Sequence, residues 1–313
     1  MKRRFALPGL GMLALAACCC LVFCTGPVPS ADPAPGYYGF SSPDGLRGYL
    51  WGVDGHARLI SAHRGGPGPY LPENALKTFE QALTLAPCVV ECDVRACRDG
   101  ILVLMHDATL DRTTNGNGAV AEHSLSSLRS LRLRDPAGRL TECRIPTLGE
   151  ALEWARRRCV LTLDVKEDDA YPRVVAAVGR HRARGYAVVI VYSHEQARRV
   201  HEMDAEIVIS AAAASPDSLR RLLGLGIPPQ RLVVFVGTRL PPSPVLQELR
   251  KWRIPAILGT MNHLDRRARV RGDGVYLDLY RQGIQVLSTD QVRRVARALA
   301  ESGKPARMGE KQP

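Results

Sequence analysis

Cys88-Val89-Val90-Glu91-Cys92-Asp93 is a short apolar run that closes on two carboxylates, and its pattern decides the fold. The same construction recurs on either side of it. Leu59 to Ala62 lead into His63-Arg64-Gly65, Ile101 to Met105 into His106-Asp107, and Val160 to Leu163 into Asp164-Val165-Lys166. Short apolar runs bounded by polar residues read as buried strands. Ionisable groups clustered at strand ends are where an α/β scaffold places its chemistry, because strand ends open onto loops.

Eight such runs succeed one another along the chain, at 59–62, 88–90, 159–165, 187–192, 206–210, 231–236, 255–259 and 284–288. Helical patterns lie between most of them, at 75–85, 148–157, 171–184, 195–203, 215–223, 245–252 and 265–271. Strands alternating with helices predict a parallel sheet, most simply a closed TIM (β/α)8 barrel. A barrel of about 250 residues fits the segment 55–302. The run at 101–105 is extra to the repeat and opens a small insertion after the second strand, at about 107–146. Residues 303–313 read as a polar tail.

Ahead of the barrel lies a targeting segment. Met1-Lys2-Arg3-Arg4 is a positive start, Phe5 to Ala17 is apolar, and Leu15-Ala16-Ala17-Cys18 follows. Small residues before a cysteine resemble the lipobox of bacterial lipoproteins, which predicts a signal peptide over 1–17 and a lipidated Cys18. The expected location is then the bacterial cell envelope, lipid-anchored to a membrane and facing the periplasm or the exterior. An ordinary cleaved signal and an uncleaved anchor are the competing readings, although Pro8, Pro27 and Pro29 interrupt the uncharged stretch. Residues 18–54, rich in Pro, Gly and Ser, read as a tether.

The formal charge of +12 suits anionic partners. The arginines are spread over helical stretches, aromatics are only 5%, and no basic block is interleaved with them, which argues against nucleic acid. Beyond the leader the cysteines are Cys88, Cys92, Cys97, Cys143 and Cys159. No CxxC pair exists, so a structural zinc site is not expected. One disulfide, Cys97 with Cys143, is compatible with an extracytoplasmic location.

On a strand, residues i and i+2 point the same way. Glu91 and Asp93 therefore share a face, and so do Asp164 and Lys166. If both faces line the barrel mouth, three carboxylates and one ammonium converge there. Three hard oxygen ligands suit a divalent cation, Mg2+ or Ca2+. An ion-pair network closing the barrel is the alternative. His63 and His106, each at a strand end, can divide general base and general acid work near neutral pH. Arg64 offers a planar fork to a phosphate, and Lys166 a point charge. His194 and His263 also follow strands and are further pocket candidates.

Taken together, His63-Arg64-Gly65, Pro72-Glu73-Asn74, Glu91-x-Asp93-Val94, His106-Asp107 and Leu110-Asp111-Arg112-Thr113-Thr114 resemble the glycerophosphodiester phosphodiesterase family in order and spacing. The resemblance is strong over 59–118, good through Lys166, and later returns only at Ser288-Thr289-Asp290. It implies a TIM barrel with an insertion after the second strand. It also implies metal-dependent hydrolysis of a glycerophosphodiester substrate to glycerol 3-phosphate and an alcohol. By position, His63 and His106 become the catalytic pair, Arg64 a phosphate contact, Glu91 and Asp93 metal ligands, and Glu73 a carboxylate near the metal and glycerol side. The chain departs from the family's pattern at Asp164, where Glu is usual. Gly259-Thr260-Met261-Asn262 replaces a Trp-Thr-x-Asn pattern, so the leaving-group pocket is expected to differ. A lysophospholipase D-like or other phosphodiesterase activity on the same barrel is the runner-up, and a non-catalytic surface lipoprotein the last reading.

Overall fold

Eight parallel strands close on themselves in the computed structural model, which describes residues 39–303. They are β1 (Leu59–Ala62), β2 (Cys88–Ala96), β4 (Leu161–Val165), β5 (Ala187–Val191), β6 (Val208–Ala212), β7 (Leu232–Phe235), β8 (Ala256–Gly259) and β9 (Val286–Thr289). Each of the eight apolar runs is one of these strands. β1 pairs with both β2 and β9, so the sheet has no free edge along the barrel. β3 (Leu102–Leu104) lies outside the repeat and pairs antiparallel with the far end of β2, Val94 opposite Leu104. This is the extra run of the sequence.

The helices α2 (Leu76–Leu85), α4 (Leu148–Ala155), α5 (Tyr171–Arg180), α6 (His194–Met203), α7 (Pro216–Leu223), α8 (Ser243–Lys251) and α9 (His263–Arg271) are the seven expected from periodicity, with ends shifted by a few residues. Strand residues such as Val90, Leu161, Val188, Ile209, Val233 and Leu287 are fully buried and form one continuous core with the inner helix faces. The insertion has a smaller core of its own. There Leu110, Val120, Leu128, Leu133 and Ile145 pack on Val103 and Met105, with α3 (Leu125–Ser130) among them.

One expectation is corrected. The tether assigned to 18–54 ends earlier, because α1 (Pro43–Trp51) is a docked helix with Leu46, Leu50 and Trp51 buried. Its Pro43 occupies the first turn, where a missing N–H costs nothing, and Ser42 caps the Gly45 N–H at 3.2 Å. Arg47 then reaches the Arg253 carbonyl at 2.8 Å. Proline and glycine content alone therefore misled the reading at this point. The sequence left the pairing of Cys97 with Cys143 open. Cys88, Cys92, Cys97, Cys143 and Cys159 are all free, and all but Cys143 are buried.

The helices α10 (Gly274–Arg281) and α11 (Val292–Ser302) complete the ring. Among the described residues no helix is long and apolar enough to cross a membrane. The signal segment 1–17, Cys18, the tether up to 38 and the tail beyond 303 lie outside the described residues.

Candidate active site

His63 stands one residue past the end of β1. The chain then turns sharply, with Arg64 (φ 51°), Gly65 (φ 84°) and Gly66 (φ 76°) all left-handed. Backbone strain of this kind collects at functional sites. Gly65 lies against the edge of the Phe79 ring, and a Cβ there would run into that ring. Gly65→Ala combines an unfavourable backbone with overpacking and is expected to cost about 2–4 kcal/mol in chemical denaturation. The turn aims the Arg64 N–H at Glu91 Oε2, 2.6 Å away.

β2 and β4 run in register, with Asp93 opposite Asp164. Glu91, Asp93 and Asp164 are all buried, and each offers an oxygen within 4.8 Å of the others. The three carboxylates foreseen at the mouth do converge. Lys166 joins them, its Nζ 2.7 Å from Asp93 Oδ1 and 2.6 Å from Asp164 Oδ2. Ion pairing is thus real, since the Arg64 guanidinium also comes within 3.8 Å of Asp93 Oδ2, but three carboxylates still face only the Lys166 ammonium at hydrogen-bond distance. Glu91 accepts only a backbone N–H. Burial, then the charge of Asp93, push the Glu91 carboxyl up to about 8. Burial works to raise Asp93 as well, but Lys166 and the Asn74 amide hold it below the usual carboxylate range. A donor set so rich in buried negative charge fits a divalent cation held by Glu91, Asp93 and Asp164.

Asn74 was quoted in the sequence but given no role, and it has one. Itself left-handed (φ 58°), it donates Nδ2–H to Asp93 Oδ2 at 2.7 Å and accepts the Asp93 N–H on Oδ1 at 2.9 Å. These two hydrogen bonds, one to the carboxylate and one from the backbone N–H, hold Asp93 in place.

Each histidine has a carboxylate behind it. His63 Nδ1 is 2.7 Å from Asp290 Oδ1, just past β9, and His106 Nδ1 is 2.7 Å from Asp107 Oδ1. Burial lowers the His63 pKa, yet the Asp290 hydrogen bond and the charges of Glu91 and Asp290 outweigh it and hold the imidazole above its ordinary value. Nδ1 donates to the carboxylate in both pairs, so Nε2 is the nitrogen left to meet a substrate. Arg112 grips Asp107 through Nε at 2.6 Å and reaches Glu73 at 2.9 and 2.7 Å. The Arg112 hydrogen bond is the main reason Asp107 lies well below the usual carboxylate range. Glu73 also accepts Arg64 at 3.2 Å, while the buried Arg64 Nε has no hydrogen-bond acceptor.

A cavity of about 250 Å³ opens beside part of this cluster. His63, Glu91 and Asp164 form its charged side, and Ile190, Tyr192, Phe235, Ile257 and Met261 its apolar side. Met261 comes from the segment where the chain departs from the family pattern. Tyr192 was unforeseen. Its hydroxyl donates to Asp164 Oδ1 at 2.6 Å. His194 and His263 open α6 and α9 and do not line this cavity.

The chain is similar to a glycerophosphodiester phosphodiesterase of Bacillus subtilis (strain 168), 29% identical over 171 residues that cover 48% of this chain and 57% of that protein. It is also similar to one of Caldanaerobacter subterraneus subsp. tengcongensis, 30% identical over 158 residues covering 48% of this chain and 65% of the relative. The chain thus spans less than two thirds of the length of these relatives. A crystal structure of a glycerophosphoryl diester phosphodiesterase from Parabacteroides distasonis ATCC 8503 superposes with a TM-score of 0.77 at 31% identity, covering 86% of this chain and 94% of that one. An Oleispira antarctica phosphodiesterase in complex with the product sn-glycerol-3-phosphate shares the fold, with a TM-score of 0.60 at 21% identity over 78% of this chain and 97% of that one. The glycerophosphoryl diester phosphodiesterase family profile matches residues 63–297, from the first histidine of the site into the last helix. With that profile laid over most of its length, on a TIM barrel shared with solved members, this chain belongs to the glycerophosphoryl diester phosphodiesterase family.

Proposed function

We propose that this chain hydrolyses glycerophosphodiesters to glycerol 3-phosphate and an alcohol, with a divalent cation, Mg2+ or Ca2+, at Glu91, Asp93 and Asp164. The observation that carries this is the meeting of two His–Asp pairs with a three-carboxylate cluster at one barrel mouth. A cation held by Glu91, Asp93 and Asp164 would supply charge neutralisation for a phosphate oxygen. Arg64 and Lys166 add fixed positive charge beside it, where charge grows on the phosphoryl oxygens. Glu73 holds the Arg64 and Arg112 guanidiniums and so orients the phosphate side. One imidazole Nε2 takes the proton of the nucleophile, and the other gives a proton to the leaving alcohol oxygen. The product bound in the Oleispira antarctica structure agrees with this substrate class.

A product assay on a panel of glycerophosphodiesters tests the reading, with glycerol 3-phosphate expected from each accepted diester. Release of glycerol with a phosphoalcohol would place cleavage on the other side of phosphorus. The apolar wall of Ile190, Phe235, Ile257 and Met261 is what favours the second reading, a lysophospholipase D-like activity. Preference for long-chain lysolipids over soluble diesters would decide for it.

Asp290→Asn gives a check with a definite sign. Asp290 raises the His63 pKa, so its loss lowers that pKa. The limb of the pH–rate profile governed by His63 should move to lower pH, whichever proton-transfer role the imidazole has. An unmoved profile would separate Asp290 from the reaction.

The location remains an inference from the leader. Acylation at Cys18 would hold the enzyme at a membrane in the cell envelope, near the products of phospholipid deacylation. Cys18→Ser should move the protein out of the membrane fraction and abolish labelling by a fatty-acid analogue. Retention with labelling intact would exclude Cys18 as the anchor.

A further inference from the structure

We infer that Tyr192 is a positioning residue that sets the divalent-cation affinity of the site by holding Asp164, an inference that rests on the metal reading above. Asp164 takes a place where the related pattern carries the longer Glu, so its carboxylate has one methylene less reach. Something must hold a short carboxylate in the cluster, and two groups do so from the ends of neighbouring strands. Lys166, just past β4, bonds Asp164 Oδ2 at 2.6 Å. Tyr192, just past β5, bonds Oδ1 at 2.6 Å.

The register explains the reach. Asp164 lies opposite Ile190 in the β4–β5 pairing. Tyr192 is two residues beyond Ile190, so its side chain leaves on the same face, the one that lines the cavity. Its backbone is pinned from outside the cavity. Ser193 caps α6, and the capping residue Gln196 accepts the Tyr192 N–H at 2.6 Å and donates to Asp168 at 2.5 Å. The phenol is therefore delivered from a locked helix start, although much of its ring faces solvent (61% exposed). Each Asp164 oxygen accepts one hydrogen bond and keeps a second lone pair for a ligand. Partners that orient a ligating carboxylate typically change metal affinity about 10–100-fold when removed.

The test is Tyr192→Phe in the purified chain, with Mg2+, Ca2+ and Mn2+ binding measured by calorimetry and thermal unfolding recorded alongside. The variant deletes one oxygen and keeps the ring, so the fold is expected to be unchanged. Cation affinity should fall about tenfold or more. Activity should drop at limiting cation and recover at saturating cation, a rescue that a merely structural role would not produce. In the Asp164→Glu background, whose longer carboxylate reaches further, the same change should cost less. Wild-type affinity in folded Tyr192→Phe would overturn the assignment while leaving the metal reading standing. A wild-type chain that binds no divalent cation would overturn both.

Discussion

His63→Ala and His106→Ala should each lower kcat by about 10²–10⁴ with the fold intact, the range for removing a general acid or base. Both rings sit at the mouth, at the ends of β1 and β3, and each bonds a carboxylate at the rim, so neither holds the core together. On the proposed mechanism the pair acts as one proton-transfer unit across the phosphate. The double variant should therefore lose much less than the product of the two single effects. A substrate with an activated leaving group needs little protonation. It should rescue the variant lacking the general acid and not the one lacking the base, which assigns the roles. A near-wild-type rate in either single variant would remove that histidine from the mechanism. Asp107 and Asp290 bear on the same experiment, because each fixes the tautomer that leaves Nε2 free.

Removing the divalent cation should be equally damaging. Several kcal/mol of charge stabilisation corresponds to a loss of about 10² or more in rate. Excess chelator should abolish activity, and added Mg2+ or Ca2+ restore it. Asp93→Asn, close to isosteric, should lose cation response while remaining folded. Stability offers a second readout with a fixed sign. Burial, then the charge of Asp93, hold the Glu91 carboxyl up at about 8, above its ordinary carboxylate value. Between those two values the native state holds a proton that the unfolded chain has lost, so stability falls as pH rises through that window. A bound cation favours the ionised carboxylate. The rise in Tm on adding cation should therefore be larger near pH 8 than near pH 5. Full activity in chelator, or a Tm gain independent of pH, would remove Glu91 from the site.

The neighbourhood of Asp93 separates what local pattern carries from what it does not. That Glu91 and Asp93 share a face follows from the two-residue period of a strand, and the apolar run before them is enough to place the strand. That Asn74 brackets Asp93 through both its amide atoms does not follow from any spacing. It depends on the left-handed turn after β1 bringing the 72–74 loop back to the Arg64 carbonyl, where the Asn74 N–H donates at 3.0 Å. The helix over Pro43–Trp51 makes the same point in reverse. Its Pro and Gly content reads as a linker, and only the buried surface it finds for Leu46, Leu50 and Trp51 makes it a helix.

Alone, the sequence determined the eight strands, the alternation that makes them parallel, and which ionisable residues stand at their ends, because these depend on periodicity within a few residues. The tertiary structure decided which of those residues face each other. His63 and Asp290 are 227 positions apart and meet only because the barrel closes β1 against β9. Tyr192 reaches Asp164 only because β4 and β5 pair in one register. Closure and register are properties of the whole sheet, set by burying every strand at once, and no local window of sequence contains them.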